Sequence, residues 1–253
     1  MIYILRERKK YYRSISILRT LKGKKRRNLM GIKLFLIRHG QTLWNMEGRY
    51  QGEIDIGLTS LGIRQAKLAA KYLSKVNFSN VYSSPLKRAV DTANIIKKGR
   101  NLEIKIRNNL KEISFGKWEG MKFDQINRMF HDDYQNWLKD PYNNSPTGGE
   151  SFKDVQERAI TEINNIINEN EDKSSAAVAT HGGIILSLLV HWLQIPVFRW
   201  RSIIQRQGAI NIVVIDKDFP YISTINYTGH LKPLYDDRED KVIEIYSGLR
   251  SKN

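Results

Sequence analysis

Apolar positions along the chain fall into short runs and stripes that alternate strands with helices. Leu34-Phe35-Leu36-Ile37 is an apolar run between polar flanks and predicts a strand buried on both faces. It stops abruptly at Arg38, His39 and Gly40. The glycine-rich, polar stretch from Trp44 to Gly57 is too irregular for a periodic element. Thr59 then N-caps a helix running to about Ser74, with Leu61, Ala66, Ala69, Ala70 and Leu73 on one face. Asn80 to Ser84 reads as a short strand ending in hydroxyls. Pro85 follows in the first turn of a helix that carries Arg88, Ala89, Thr92 and Ile96.

Glu103 to Ile106 is a further strand. The apolar step Leu110 to Ile113 runs into a turn-rich segment from Phe115 to Gly120. Short helical pieces fill 121–150, broken at Asp140-Pro141 and Pro146. Ser151, with Asp154 three residues on, forms a capping box for a long helix whose stripe is Phe152, Val155, Ala159, Ile163 and Ile166. Ala176 to Ala179 is a second buried strand, ending at Thr180-His181-Gly182-Gly183 before a helix from Ile184 to Leu193. Ala209 to Ile215 and Tyr221 to Ile225 alternate like paired strands, with Asp216-Lys217-Asp218 as their turn. The pattern predicts one α/β domain from residue 30 to 253, preceded by a basic extension over 1–29.

Composition narrows the chemistry. The chain has no cysteine, which excludes disulfides, thiolate catalysis and cysteine-bound metal sites. No apolar run reaches the roughly 20 residues of a membrane span. The formal charge of +16 suggests nucleic acid, but residues 1–31 hold eleven Lys/Arg against Glu7 alone. That segment carries +10 and leaves +6 for the other 222 residues, so no nucleic-acid or membrane partner is expected of the domain. Three readings of 1–29 stay open: a basic arm, a targeting peptide, or untranslated sequence ahead of a start at Met30. The last arises because Arg26-Arg27 can be encoded as a ribosome-binding AGG-AGG, with only the two codons of Asn28 and Leu29 between it and Met30.

Two strands thus end in a histidine followed by glycine, where ligands of open α/β sheets bind. A single such histidine is ordinarily a hydrogen-bonded core or surface residue; two at strand ends are a candidate site. They could ligate a metal, but Arg38 beside His39 opposes a dication, and arginine favours phosphate oxygens. Arg88 can project back to the same sheet edge, although a solvated helix arginine is the plainer reading. Spacing does not separate Glu112 from Glu119 as the accompanying carboxylate, and either could be a surface group. Phosphoryl transfer to an imidazole accounts for the set. The imidazole attacks phosphorus, arginines and helix amides balance the charge, and a carboxylic acid protonates the leaving alkoxide. Neither a metal nor a cofactor is required.

These segments resemble the histidine phosphatase (phosphoglycerate-mutase-like) superfamily. The resemblance rests on Leu36-Ile37-Arg38-His39-Gly40-Gln41-Thr42 with Trp44-Asn45, and on Arg49-Tyr50-Gln51-Gly52 with Asp55 and Leu58-Thr59. It continues through Ser83-Ser84-Pro85-Leu86-Lys87-Arg88-Ala89 with Thr92, and Leu110-Lys111-Glu112-Ile113 with Phe115-Gly116 and Trp118-Glu119-Gly120. Gly149-Glu150-Ser151 and Thr180-His181-Gly182-Gly183 complete it.

The resemblance implies a phosphohistidine at His39, a phosphate pocket of Arg38, Arg88 and His181, and Glu112 rather than Glu119 as acid and base. It also implies substrate contacts from Asn45, Gln51, Gly52 and Gly182. The implied fold is a three-layer α/β/α sandwich around a mostly parallel sheet with one antiparallel strand. Ile113 to Gly120 is similar to the phosphatase branch, of the broad-specificity or α-ribazole type. A 2,3-bisphosphoglycerate-dependent mutase is the alternative. The expected partner is a small phosphorylated metabolite in the cytoplasm. Residues 121–147 and 194–208 should set substrate choice; Arg199, Arg201 and Arg206 there hint at an acidic substrate but read more simply as solvated charges.

Overall fold

The computed structural model describes residues 31–217 and 219–235; residues 1–30 with the basic extension, Asp218, and residues 236–253, where the expected domain ends, lie outside the described residues. In chain order the elements are β1 (Ile32–Arg38), α1 (Leu43–Glu47), α2 (Ser60–Tyr72), β2 (Asn80–Ser83), α3 (Lys87–Lys97) and β3 (Ile104–Ile106). Then come α4 (Phe123–Met129), α5 (His131–Lys139), α6 (Phe152–Asn168), β4 (Ser175–Thr180), α7 (Gly182–Trp192), β5 (Ile210–Asp216) and β6 (Phe219–Tyr227).

The strands form one six-stranded sheet in the order β3-β2-β4-β1-β5-β6. β1, β2, β3 and β4 pair in parallel, and β5 runs antiparallel to both β1 and β6. β5 is therefore the one strand opposed to the rest. Alternation along β1 feeds two cores, because successive side chains of a strand point to opposite faces. Leu34 and Leu36 pack with Val155, Ala159 and Ile163 of α6 and Ile184 and Leu188 of α7. Phe35 and Ile37 pack with Ala69 of α2 and Ala93 and Ile96 of α3. Helices thus cover both faces, giving the expected three layers. A smaller cluster of Trp118, Ile126, Tyr134 and Trp137 holds α4 and α5 together.

The long helices match their sequence signals. Thr59 caps α2 by accepting from Gly62 N, and Ser151 and Asp154 form the capping box of α6. Two local readings need correction. The stretch after Trp44 is not wholly irregular, since Leu43–Glu47 makes one helical turn. Thr42 and Asn45 cap it reciprocally, and it buries no residue, so no apolar stripe announces it. Pro85 precedes the helix instead of opening it. Ser84 Oγ accepts from Leu86 N at 3.3 Å and Leu86 stays extended, so α3 begins at Lys87, whose amide is met by Asp55 Oδ1 at 2.7 Å. Among the described residues no helix is long and apolar enough to cross a membrane.

Candidate active site

Sheet register brings the two histidines together. β1 and β4 are neighbours, with Arg38 opposite Thr180, and β2 lies on the far side of β4, with Ser83 opposite Ala179. Their carboxyl ends carry Arg38 and His39, His181, and Ser84. Backbone bonds continue past the strands, from His39 N to Thr180 O at 2.9 Å and from Ser84 N to Ala179 O at 3.0 Å. The imidazole centroids of His39 and His181 are 5.1 Å apart.

His39, His181 and Arg88 are 2%, 0% and 0% exposed. His39 Nδ1 lies 2.7 Å from Gly40 O; a carbonyl only accepts, so Nδ1 carries the proton and Nε2 the lone pair. Burial, reinforced by the charges of Arg88 and Arg38, holds the His39 pKa well below 6.5. His181 is depressed likewise, by burial first and then by Arg88. Its Nε2 shares a 2.7 Å hydrogen bond with Ser84 Oγ, while its Nδ1 is buried and makes none.

Arg88 donates to Gly52 O at 2.6 Å and Ile54 O at 2.9 Å. The Gln51 amide turns its nitrogen to Thr42 Oγ1 at 2.6 Å and its oxygen to Arg88 Nε and Nη1 at 2.8 and 2.9 Å. Burial lowers the Arg88 pKa to about 10, against the opposing pull of Glu112 and Asp55. It remains charged at neutral pH. Arg38 donates from Nη1 to Gln205 O and lies over Gly182, whose missing Cβ leaves room for the guanidinium.

Glu112 Oε1 accepts from Gly183 N at 3.0 Å and from Ile113 N at 3.1 Å, which places its carboxylate at the N-terminus of α7. A Cβ on Gly183 would collide with that oxygen. Glu119 sits elsewhere: its Oε1 accepts from Phe115 N at 3.0 Å and Glu53 N at 3.1 Å, bracing two loops.

A cavity of about 300 Å³ opens over the site, and its wall includes Arg38, Asn45, Gln51, Gly52, Glu112 and Gly182 but not Glu119. His39, His181 and Arg88 are not on that wall. Each is one residue or one hydrogen bond from a group that is. Asn45 commits Oδ1 to Thr42 N, which leaves Nδ2 for a ligand. Gln51 and Gly52, expected as substrate contacts, line the cavity and also hold Arg88.

Sequence reasoning missed the supports behind these groups. Arg158 Nη1 donates to Asn109 O and Lys111 O at 2.8 and 2.7 Å, and Nη2 to Glu112 O at 3.1 Å. The same guanidinium pairs with both oxygens of Glu150 at 2.8 Å, and Glu150 also accepts from Ser114 N at 2.9 Å. Gln205 and Asn211, both buried, exchange amide hydrogen bonds at 3.0 Å and so fix the carbonyl that Arg38 uses. The contacts from Arg158 to Glu112 O and from Arg38 to Gln205 O span 46 and 167 positions, and no local pattern reveals them. Among the described residues no three His, Cys, Asp or Glu side chains cluster so as to hold a metal ion.

The family model described as histidine phosphatase superfamily (branch 1) matches residues 34–228. The chain belongs to that superfamily. It is 29% identical to phosphoserine phosphatase 1 of Hydrogenobacter thermophilus, over 81% of this chain and 96% of the relative. Identity to the adenosylcobalamin/alpha-ribazole phosphatase of Escherichia coli is also 29%, over 77% of this chain and 96% of that protein. Among solved structures, Bacillus stearothermophilus YhfR superposes with a TM-score of 0.76 at 30% identity, covering 79% of this chain and all of that one (100%). This histidine phosphatase is a phosphoric monoester hydrolase.

Proposed function

We propose that the chain hydrolyses small phosphomonoesters in the cytoplasm with His39 as nucleophile, Arg38, Arg88 and His181 as the phosphate pocket, and Glu112 as acid and base. The observation that carries this reading is the His39 imidazole: neutral through burial, tautomer set by Gly40 O, and flanked by two arginines. Nε2 attacks phosphorus as the P–O bond to the alcohol breaks, and Glu112 protonates the departing oxygen. Its Oε1 is taken by two amides, so Oε2 carries that proton. Water then attacks the phosphohistidine and gives its proton to Glu112, the P–N bond breaks, and phosphate leaves with His39 restored.

Arg38, the buried charge of Arg88 and the positive end of the α7 dipole balance the charge on the equatorial oxygens. The unpaired buried Nδ1 of His181 supports a role as a further donor, since an orphan polar atom in the interior costs free energy that a phosphate oxygen would recover. Asn45 and Gly182, on the cavity wall, complete the binding set. The phosphoserine and alpha-ribazole phosphates named for the relatives are the first substrates to try.

The test is Glu112→Gln on two esters. An alkyl phosphate needs a protonated leaving group and should lose about 10²–10⁴-fold in rate, whereas p-nitrophenyl phosphate, whose phenolate departs unaided, should lose far less. Equal losses would reduce Glu112 to a structural residue. Chelators should leave the wild-type rate unchanged; a loss restored by zinc or magnesium would contradict the assignment of positive charge to Arg38, Arg88 and the α7 amides.

A further inference from the structure

If the phosphate occupies the arginine and helix-terminal end, the rest of the cavity receives the alcohol. That part is walled by aromatic rings: Tyr50, Phe115, Trp137, Phe152 and Trp200. The rings fix one another. Tyr50 meets Phe115 edge-on at 4.9 Å, and Trp200 lies 5.9 Å from both Trp137 and Phe152. Arg201 stacks over Trp137 at 5.5 Å and Trp200 at 5.1 Å and is not itself on the wall. Charges that could read a carboxylate or ammonium on the alcohol are already committed. Arg49, on the wall, pairs with Glu47 at 2.5 Å and donates to Gly120 O at 2.7 Å. Trp137 and Trp200 come from the two segments in which substrate choice is expected to reside.

We propose that the preferred substrates are phosphomonoesters whose alcohol carries an aromatic ring, stacked against the Trp137–Trp200 wall, rather than small charged alcohols such as serine. This rests on the phosphatase reading above. Aromatic faces favour offset or edge-on ring partners, and burying a phenyl-sized group is worth about 10- to 100-fold in specificity.

Leaving-group chemistry has to be held level, so the comparison uses primary alkyl phosphates. For the full chain, kcat/KM is measured for 2-phenylethyl phosphate, ethyl phosphate and O-phosphoserine. Phenylethyl phosphate should exceed ethyl phosphate by about 10- to 100-fold and should also exceed phosphoserine. In Trp200→Ala, a half-buried position less exposed to folding damage than Trp137, the phenylethyl-to-ethyl ratio should fall below about threefold, losing most of that burial gain. Equal rates on the two alkyl esters, a preference for phosphoserine, or a ratio unmoved by Trp200→Ala would overturn the proposal while leaving the phosphatase reading intact. No hydrolysis of any monoester, p-nitrophenyl phosphate included, would instead sink that reading and this one with it.

Discussion

At His39 the 2.7 Å bond from Nδ1 to Gly40 O leaves Nε2 as the lone pair, and burial among arginines keeps the ring neutral. The same burial ties stability to pH. In the unfolded chain both His39 and His181 titrate near the ordinary 6.5, whereas in the fold both are depressed well below it. The unfolded state therefore binds more protons below pH 6.5. The stability the two groups contribute is complete above that value and drains away as pH falls toward the folded-state pKa values.

Each histidine can add up to about 1.4 kcal/mol per pH unit to this slope. Urea unfolding between pH 7.5 and 5 should show a shallower decline for His181→Asn than for the wild type. Parallel declines would mean that His181 is not held neutral in the fold. Reactivity should follow the same direction: with His39 as the proposed nucleophile, the acid limb of kcat/KM should lie below pH 6.5, because burial keeps that ring unprotonated there.

Among elements, α6 does more than cover the sheet. Its Arg158 grips the carbonyls of residues 109, 111 and 112 and so sets where Glu112 stands. Misplacing a catalytic group by about 1 Å can cost 10²-fold in rate. Arg158→Met should therefore slow alkyl phosphate turnover by about 10- to 100-fold, with a smaller loss on p-nitrophenyl phosphate. Arg158→Lys should rescue little, since an ammonium cannot reproduce the forked donor set. Equal losses on both esters would show that Arg158 supports the fold alone.

That helix also marks where sequence reading stops. Its stripe and capping box were legible because they repeat within a few residues. β1 and β4 were legible as unbroken apolar runs, and their histidines stood out because glycine follows each. The single turn of α1 has no buried face to betray it. Arg158 and Glu150 act on partners brought near only by the fold, as do Gln205 and Asn211. Spacing could not choose between Glu112 and Glu119. The family resemblance alone favoured Glu112, and the contact that sets its carboxylate on the amide of Gly183, 71 positions away in the chain, has no local signature.

At the scale of the molecule, a sheet ordered β3-β2-β4-β1-β5-β6 sets the carboxyl ends of β2, β4 and β1 side by side, beneath helices on both faces. This juxtaposition gathers two neutral imidazoles, two arginines and a helix N-terminus from positions more than 140 residues apart in sequence. The central claim is that phosphate passes through His39. Labelled phosphomonoester mixed with the protein for milliseconds and quenched in denaturing alkali, where phosphohistidine survives, should leave phosphate on a peptide containing His39, located by mass spectrometry, and His39→Ala should abolish both label and hydrolysis. Label on a serine or aspartate, or full turnover by His39→Ala, would contradict the account.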